Sequence, residues 1–358
     1  MKKLITGIIL LMTAGAMAQE TKTSPITISA YLEAYYNYDF NRPLNNTMPP
    51  FLYNFSRNNE VNLNLAYIKA AYSSDKVRGN FTFATGTYMN ANYSAEPGLL
   101  KNIYEANIGV RLSSKNNLWI DAGVLPSHIG WESAVGKDNP TLSRSLAAEN
   151  SPYFETGARL SYTSQNEKWY LSALVLNGWQ RIQRIDGNTT PAFGTQVTFK
   201  PSSKITLNSS TFIGNDKPDS VRKMRYFHDF YGIFQLSDKW AATLGFDIGA
   251  EQKTKGSSDF NTWYTSALIL KYAATSKTSI GVRAEYYNDK NGVIIATNTP
   301  NGFKTWGFSA NVDYNILSNL TWRTEIRSLN SKDDIFVNNN NKTLDHNIAL
   351  TTSLAFSF

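Results

Sequence analysis

Three histidines, His128, His228 and His346, stand far apart in a chain of 358 residues that contains no cysteine. None has a second histidine four residues away, so neither a helical zinc pair nor a zinc-finger spacing can be written. No metal and no cofactor is expected. The sequence carries no nucleophile elbow of the G-x-S-x-G kind and no dinucleotide fingerprint. The stretch from Gly130 to Lys137 lacks the spacing and the hydroxyl of a phosphate loop. A hydrolase would need a serine or aspartate beside His128 or His346 at the rim of the molecule. No spacing brings such groups together, so the expectation is that the protein is not an enzyme.

The ionisable residues that do fall into a pattern sit in alternating segments. Arg283 and Glu285, and Arg323, Glu325 and Arg327, interleave with Val282, Ala284 and Ile326. Glu33, Glu60, Glu105, Arg111, Asp121, Glu155, Arg159, Asp247 and Glu251 take the same phase in their own segments. Side chains two apart share one face of a strand. A mixed ring of charge on such a face would line a pore and select solutes by charge and size. The plainer alternative is that opposite charges pair across neighbouring strands and stiffen the wall.

A second group of polar residues lies in the longest loop, 127–153, with His128, Trp131, Glu132, Asp138, Arg144 and Glu149 among the apolar Ile129, Val135, Leu142 and Leu146. A loop with its own small apolar set either folds into a lumen and narrows it or packs against itself outside. The sequence leaves both open.

The elements that must carry these residues are strands. The last dozen residues alternate strictly, with Ile348, Leu350, Leu354, Phe356 and Phe358 on one face and Asn347, Thr351, Ser353 and Ser357 on the other. Ile26–Phe40, Trp240–Ala250 and Trp306–Ile316 repeat the pattern. Seven short polar clusters, such as Ser73–Lys76, Ser113–Asn117 and Ser237–Lys239, read as tight turns. They alternate with eight longer segments: 41–58, 91–101, 127–153, 180–191, 215–223, 252–260, 289–302 and 329–345. Between them lie sixteen strands, beginning near Ile26, Asn59, Val77, Asn102, Leu118, Phe154, Lys168, Ala192, Lys204, Met224, Trp240, Asn261, Thr278, Phe303, Leu320 and His346. Two of them, in 168–179 and 224–236, carry apolar residues on both faces, and their register is not legible.

An even strand count, short turns alternating with long loops and a terminal aromatic predict an all-β fold, a transmembrane antiparallel up-and-down β-barrel of about 16 strands. A soluble β-sandwich would explain the alternation but not the strand count or Phe358. The aromatic content, 20 Tyr, 19 Phe and 8 Trp, is high for a chain with a mean hydropathy of −0.35. A barrel reconciles the two, because only alternate residues meet lipid and both rims carry aromatics. The polar inner face predicts a water-filled lumen.

At the N-terminus Lys2 and Lys3, an apolar run and Ala16-Met17-Ala18 read as a cleaved signal peptide over residues 1–18, leaving 19–358 as one barrel domain. The net charge is +7, two units of it from those lysines. The remainder is interleaved with acids along the chain, which argues against a nucleic-acid partner. Both termini are expected on the periplasmic side, with Phe358 closing the barrel near Ile26 and Ile28. Phe356 and Phe358 would serve as the signal read by the barrel-insertion machinery.

Ile103–Leu112, Leu118–Pro126 and Ile129–Glu132, followed by Ser143–Leu146, Pro152–Leu160 and Leu176–Trp179, resemble the OmpL-like β-barrel porins of Bacteroidetes and other Gram-negative bacteria. The resemblance spans nearly all of the mature chain. It implies a porin in the outer membrane, with lipid and small hydrophilic solutes as partners and no catalytic residues to carry over. Passive diffusion through the lumen is the function expected. The alternatives are an adhesive or structural barrel with a blocked lumen and, least favoured, a rim-site hydrolase. A homo-oligomer is possible, and the sequence identifies no interface.

Overall fold

The computed structural model describes residues 24–358, so the segment read as a signal, 1–18, lies outside the described residues. Sixteen strands close an antiparallel barrel. They are β1 (Ile26–Asp39), β2 (Val61–Ser73), β3 (Val77–Thr85), β4 (Ile103–Arg111), β5 (Asn117–Pro126), β6 (Phe154–Thr163), β7 (Trp169–Leu176), β8 (Ala192–Ser202), β9 (Ile205–Gly214), β10 (Arg225–Gln235), β11 (Trp240–Gln252), β12 (Phe260–Ala273), β13 (Thr278–Asp289), β14 (Phe303–Leu317), β15 (Leu320–Ser331) and β18 (His346–Ser357). The short strands β16 (Phe336–Val337) and β17 (Thr343–Leu344) make a separate hairpin in the last long loop. Two short helices, α1 (Thr87–Asn92) and α2 (Leu146–Glu149), belong to the second and third long loops. Every barrel strand begins within two residues of its expected start.

The alternation fixes the two faces. On β11, Leu244, Phe246 and Ile248 point outward and are 55%, 43% and 47% exposed, while Asp247 between them is buried inside. An outer surface that leaves such side chains uncovered all round the barrel is built for lipid, not water. Aromatics gather at both ends of it. Trp169, Trp240, Tyr314, Trp322 and Phe358 ring the short-turn end, and Tyr226, Phe260, Tyr264 and Trp306 the long-loop end.

Closure departs from expectation by a few residues. Leu32 pairs with Phe356, and Phe358 exchanges both backbone hydrogen bonds with Ala30, at 3.0 and 3.1 Å. Ile26 and Ile28 pair only with β2, opposite Tyr72 and Ala70. Tilted strands need a staggered seam, and the overhanging start of β1 is that stagger.

The interior is not a hollow tube. One apolar cluster joins Met48, Phe51 and Leu52 of the first long loop, Ile129 and Leu146 of the third, and the inner-face residues Leu174, Leu176, Phe212, Phe227 and Trp263. A second joins Tyr31, Leu65, Tyr88, Met89, Tyr93, Val135 and Phe154. These clusters explain why β7 and β10 are apolar on both faces. Their outward residues meet lipid, and the upper inward ones pack against loops folded into the barrel.

Candidate functional site

The loop 127–153 crosses the lumen from β5 to the opposite wall and is bonded to that wall at nearly every step. At its start His128 Nδ1 lies 2.7 Å from Glu155 Oε1, and Nε2 lies 2.8 Å from the Thr211 carbonyl oxygen. Both partners accept. Glu155 also takes the backbone N–H of His128 and the hydroxyl of Ser127, which marks it as a carboxylate. The ring must therefore carry both protons. Burial works against that charge, but the Glu155 carboxylate and the Thr211 carbonyl outweigh it and hold the histidine above its ordinary value.

On the far side Arg283 donates to Thr141 Oγ1 at 2.9 Å and to the Ser143 carbonyl at 2.6 Å, and it also reaches Glu285 and Glu325 at 3.2 Å. Glu325 accepts from the Ser143 N–H at 2.7 Å and its hydroxyl at 2.6 Å, and Glu285 from the Leu146 N–H at 2.5 Å. Arg327 completes this group on Glu285 at 2.6 Å. Arg323 is held by Asp313 and donates to the carbonyls of Gly136 and Asn139. Charges this deeply buried persist when paired and hydrogen-bonded, and the loop backbone supplies partners to Arg283, Arg323, Glu285 and Glu325, while Arg327 keeps a buried Nε without one.

Three wall glycines mark the path of the loop. A Cβ on Gly194 would lie 2.6 Å from the His128 ring, one on Gly281 would lie 2.6 Å from the Pro140 carbonyl oxygen, and one on Gly245 would enter the Trp131 ring. Inside the loop Arg144 donates to the carbonyls of Ser133, Ala134 and Leu142, and Ser145 caps α2 through the Ala148 N–H. Glu132 is buried beside Ser145, and burial raises its carboxyl. Glu149, on α2, ties the third loop to the first by accepting from the N–H groups of Tyr53 at 2.8 Å and Asn54 at 3.3 Å. Burial nevertheless pushes its carboxyl up to about 7.

This layer divides the lumen. On the long-loop side lie a cavity of about 660 Å³ bounded by Asp39, Met48, Tyr53, Arg57 and Phe336, and one of about 300 Å³ bounded by Tyr53, Glu149, Trp179, Arg181 and Arg225. A separate space of about 20 Å³ lies between Arg327, Glu149, Asn37 and Thr351. The short-turn side is an open vestibule with a different electrostatic character. Lys69 on β2, Arg78 on β3, Arg159 on β6 and Lys271 on β12 have side chains 31%, 32%, 20% and 36% exposed, whereas their acidic partners Glu105, Asp121 and Asp313 are 7%, 2% and 9% exposed. The acids lie beneath and the cations face the solvent. Arg111 on β4 and Lys200 on β8 extend this layer, and among the described residues neither has an ion-pair partner.

Over residues 25–358 the chain matches the family described as "Putative beta-barrel porin-2, OmpL-like". It belongs to that family. A search of curated proteins finds no match to the sequence. Among solved structures, the barrel is similar to the anion-selective porin from Comamonas acidovorans (TM-score 0.62, 7% identity, 93% of this chain and 99% of that one). It is also similar to the outer-membrane channel DcaP of Acinetobacter baumannii (TM-score 0.58, 12% identity, 93% and 97%). A third is the in-vitro folded OmpT of Vibrio cholerae in its trimer form (TM-score 0.59, 8% identity, 93% and 99%). At these identities the likeness is one of fold, and with the family it makes the chain an outer-membrane porin.

In this porin the charged residues singled out by alternation separate into two groups. Glu33, Glu155, Arg283, Glu285, Arg323, Glu325 and Arg327 face inward but are covered by the loop. Asp121 lies beneath Arg78 and Arg159, and Arg111 sits at the short-turn mouth with its Nε donating to the Asn116 carbonyl. Glu60 is not on the wall; it precedes β2 in an exposed pair with Arg57 at 2.8 Å. In the loop His128, Glu132, Arg144 and Glu149 are buried, Trp131 is half-buried and Asp138 is exposed at its tip. The vestibule lysines Lys69, Lys200 and Lys271 escape the sequence reading, although each has the inward phase. His346 is exposed and bonded to Asp345. Ser209 Oγ lies 2.8 Å from His228 Nε2 on the lipid face, a polar pair that satisfies itself there.

Proposed function

We propose that this porin lets small hydrophilic solutes diffuse passively across the outer membrane and favours anions over cations. The observation that carries the reading is the layering of the short-turn vestibule, where cations face the solvent and carboxylates lie under them. A low-dielectric wall focuses such a field and raises the local concentration of counter-charge. The likeness in fold to the anion-selective Comamonas porin supports it. The short-turn end, which holds both Phe358 and the start of β1, is read as periplasmic. The reading needs no cofactor and no covalent step. A homo-oligomer belongs to it as well, supported by the trimer form of the Vibrio protein.

The test is the reversal potential of the purified protein in planar bilayers across a KCl gradient. Chloride preference is expected, and potassium preference would overturn the anion reading. A second reading, a structural or adhesive barrel with a sealed lumen, draws on the loop layer and the two apolar clusters. Protein that inserts without ever passing current would favour it. Phe356 and Phe358 are proposed as the element recognised during insertion. Deleting Phe358 is then expected to lower membrane levels more than unitary conductance, and normal levels of the deletion variant would contradict this.

A further inference from the structure

Much of the vestibule wall is polar, with Asn80, Asn107, Ser161, Ser172, Gln196 and Asn208 between the cations. The inward Trp119 on β5 and Ile269 on β12 are apolar but buried, whereas β10 leaves an apolar side chain open. Tyr231 and Ile233 face inward there, and Ile233 is 37% exposed. No lumen loop covers it. Trp131 arrives from a separate segment, the third loop, and its ring lies against that of Tyr231 with centroids 6.0 Å apart. The close seat of Trp131 over Gly245 on the adjoining β11 keeps it there. Two independent parts of the chain thus converge on one apolar patch in a wetted channel. A wall needed only for hydration would carry amides or hydroxyls at these positions, as its neighbours do.

On its short-turn side the patch is flanked by lysines, while toward the covered half the buried Asp229 and Asp247 lie next to Tyr231 and Gly245. Lys271 on β12 pairs in register with Ala241, itself opposite Gln235 at the end of β10, and Lys200 stands on β8. Arg78 on β3, with Lys69 and Arg111 on the strands beside it, stands seven strands away in a barrel of sixteen, on the opposite wall, so Lys271 and Lys200 are the cations next to the patch. A solute here meets cations and an apolar shelf together.

We propose that this vestibule holds a binding site for amphiphilic organic anions, with an aromatic or branched apolar group laid on Trp131, Tyr231 and Ile233 and a carboxylate held by the neighbouring cations. The proposal rests on the channel reading for its role in transport, but not for binding itself. Convergent charge beside an apolar surface is the usual make-up of a small-molecule site. Burying part of a phenyl face is worth about tenfold in affinity.

Potassium benzoate and potassium acetate are the probes. Added on the short-turn side of a bilayer, benzoate is expected to block the chloride current at concentrations about tenfold lower than acetate. Ile233→Asn should bring the two within about twofold, and Lys271→Met should weaken both alike. Equal block by the two anions, or a preference that survives Ile233→Asn, overturns the site. Ile233→Thr is the milder variant if the first does not show the heat-shifted gel mobility of a folded barrel. Equilibrium dialysis of labelled benzoate against the protein in detergent needs no current. Retention lost in Ile233→Asn but without conductance keeps the site and removes the channel reading. No retention removes the site whatever the current does.

Discussion

The wall of β13 to β15 under the third loop and the wall of β2 to β6 at the short turns are built from the same residue types and behave as opposites. Under the third loop Arg283, Arg323 and Arg327 are buried, each hydrogen-bonded to an acid, and the loop backbone bonds to Arg283 and Arg323, the latter only three residues from a short turn. Toward the short turns Lys69, Arg78 and Arg159 are paired as well, but on one side only, and solvent touches the cation. What differs is whether another segment of the chain covers the wall. An inward arginine is a clamp where a loop lies over it and part of a field where none does.

The two walls should part most visibly at the clamp. Arg283→Ala leaves Glu285 and Glu325 buried with one cation fewer, a change that typically costs about 3–5 kcal/mol. Unfolding in detergent should register that loss, and the freed loop should raise unitary conductance. The matching change on the other wall, Arg159→Ala, removes a partly exposed partner worth under about 1 kcal/mol. Equal losses in the two variants would erase the distinction.

Next in size is a pH effect confined to the covered half. The folded value of Glu149, about 7, lies above the ordinary 4.5. Its contribution is therefore fully present below about pH 4.5 and is lost as the pH rises through 7, by at most about 3 kcal/mol. His128 acts in the same sense, since its folded value is also raised and its bond to Glu155 weakens as the proton leaves. Hydrogen-exchange protection in 127–153, taken relative to the intrinsic rate at each pH, should be greater at pH 5 than at pH 8. Glu149→Gln should flatten most of that difference, and a slope of opposite sign would refute the assignment.

A smaller effect is expected from Gly194→Ala, whose methyl group would displace the His128 ring and cost roughly 1–3 kcal/mol by overpacking. Protease cleavage within 127–153 should then rise while cleavage of the short turns does not.

Alternation revealed the wall but not what lies against it. A period of two assigns a residue to a face and stops there, so Arg283 and Glu325 looked like a filter because nothing in their spacing says that Ser143, far away in the chain, would bond to both. The same limit left 168–179 and 224–236 without a register. Phe227 and Leu174 face inward as core under a loop, a setting that local pattern cannot distinguish from lipid. Some of this was recoverable. Gly194, Gly245 and Gly281 interrupt strands at inward positions, and a strand glycine often marks the close approach of another segment. The seam was missed by a few residues because strand tilt, which sets the stagger, leaves no mark in the hydrophobic pattern.

A milder set of substitutions bears most directly on function. Replacing Lys69, Arg78 and Arg159 with glutamine should cost less than the clamp substitution, because each replaced charge is already partly in water and each glutamine can still donate to Glu105 or Asp121. Their partners would be left nearer the surface of the lumen, so the field would change sign locally as well as weaken. The reversal potential in a KCl gradient should therefore move through zero toward potassium, not merely shrink. The shift should be largest at low salt, where the Debye length approaches the width of the vestibule, and fade as ionic strength rises. Glu105→Gln, which removes a covered acid beneath Lys69, should push the potential the other way. If the triple variant kept full chloride preference, the selective charges would have to lie in the covered half, and the division between clamp and field would be wrong.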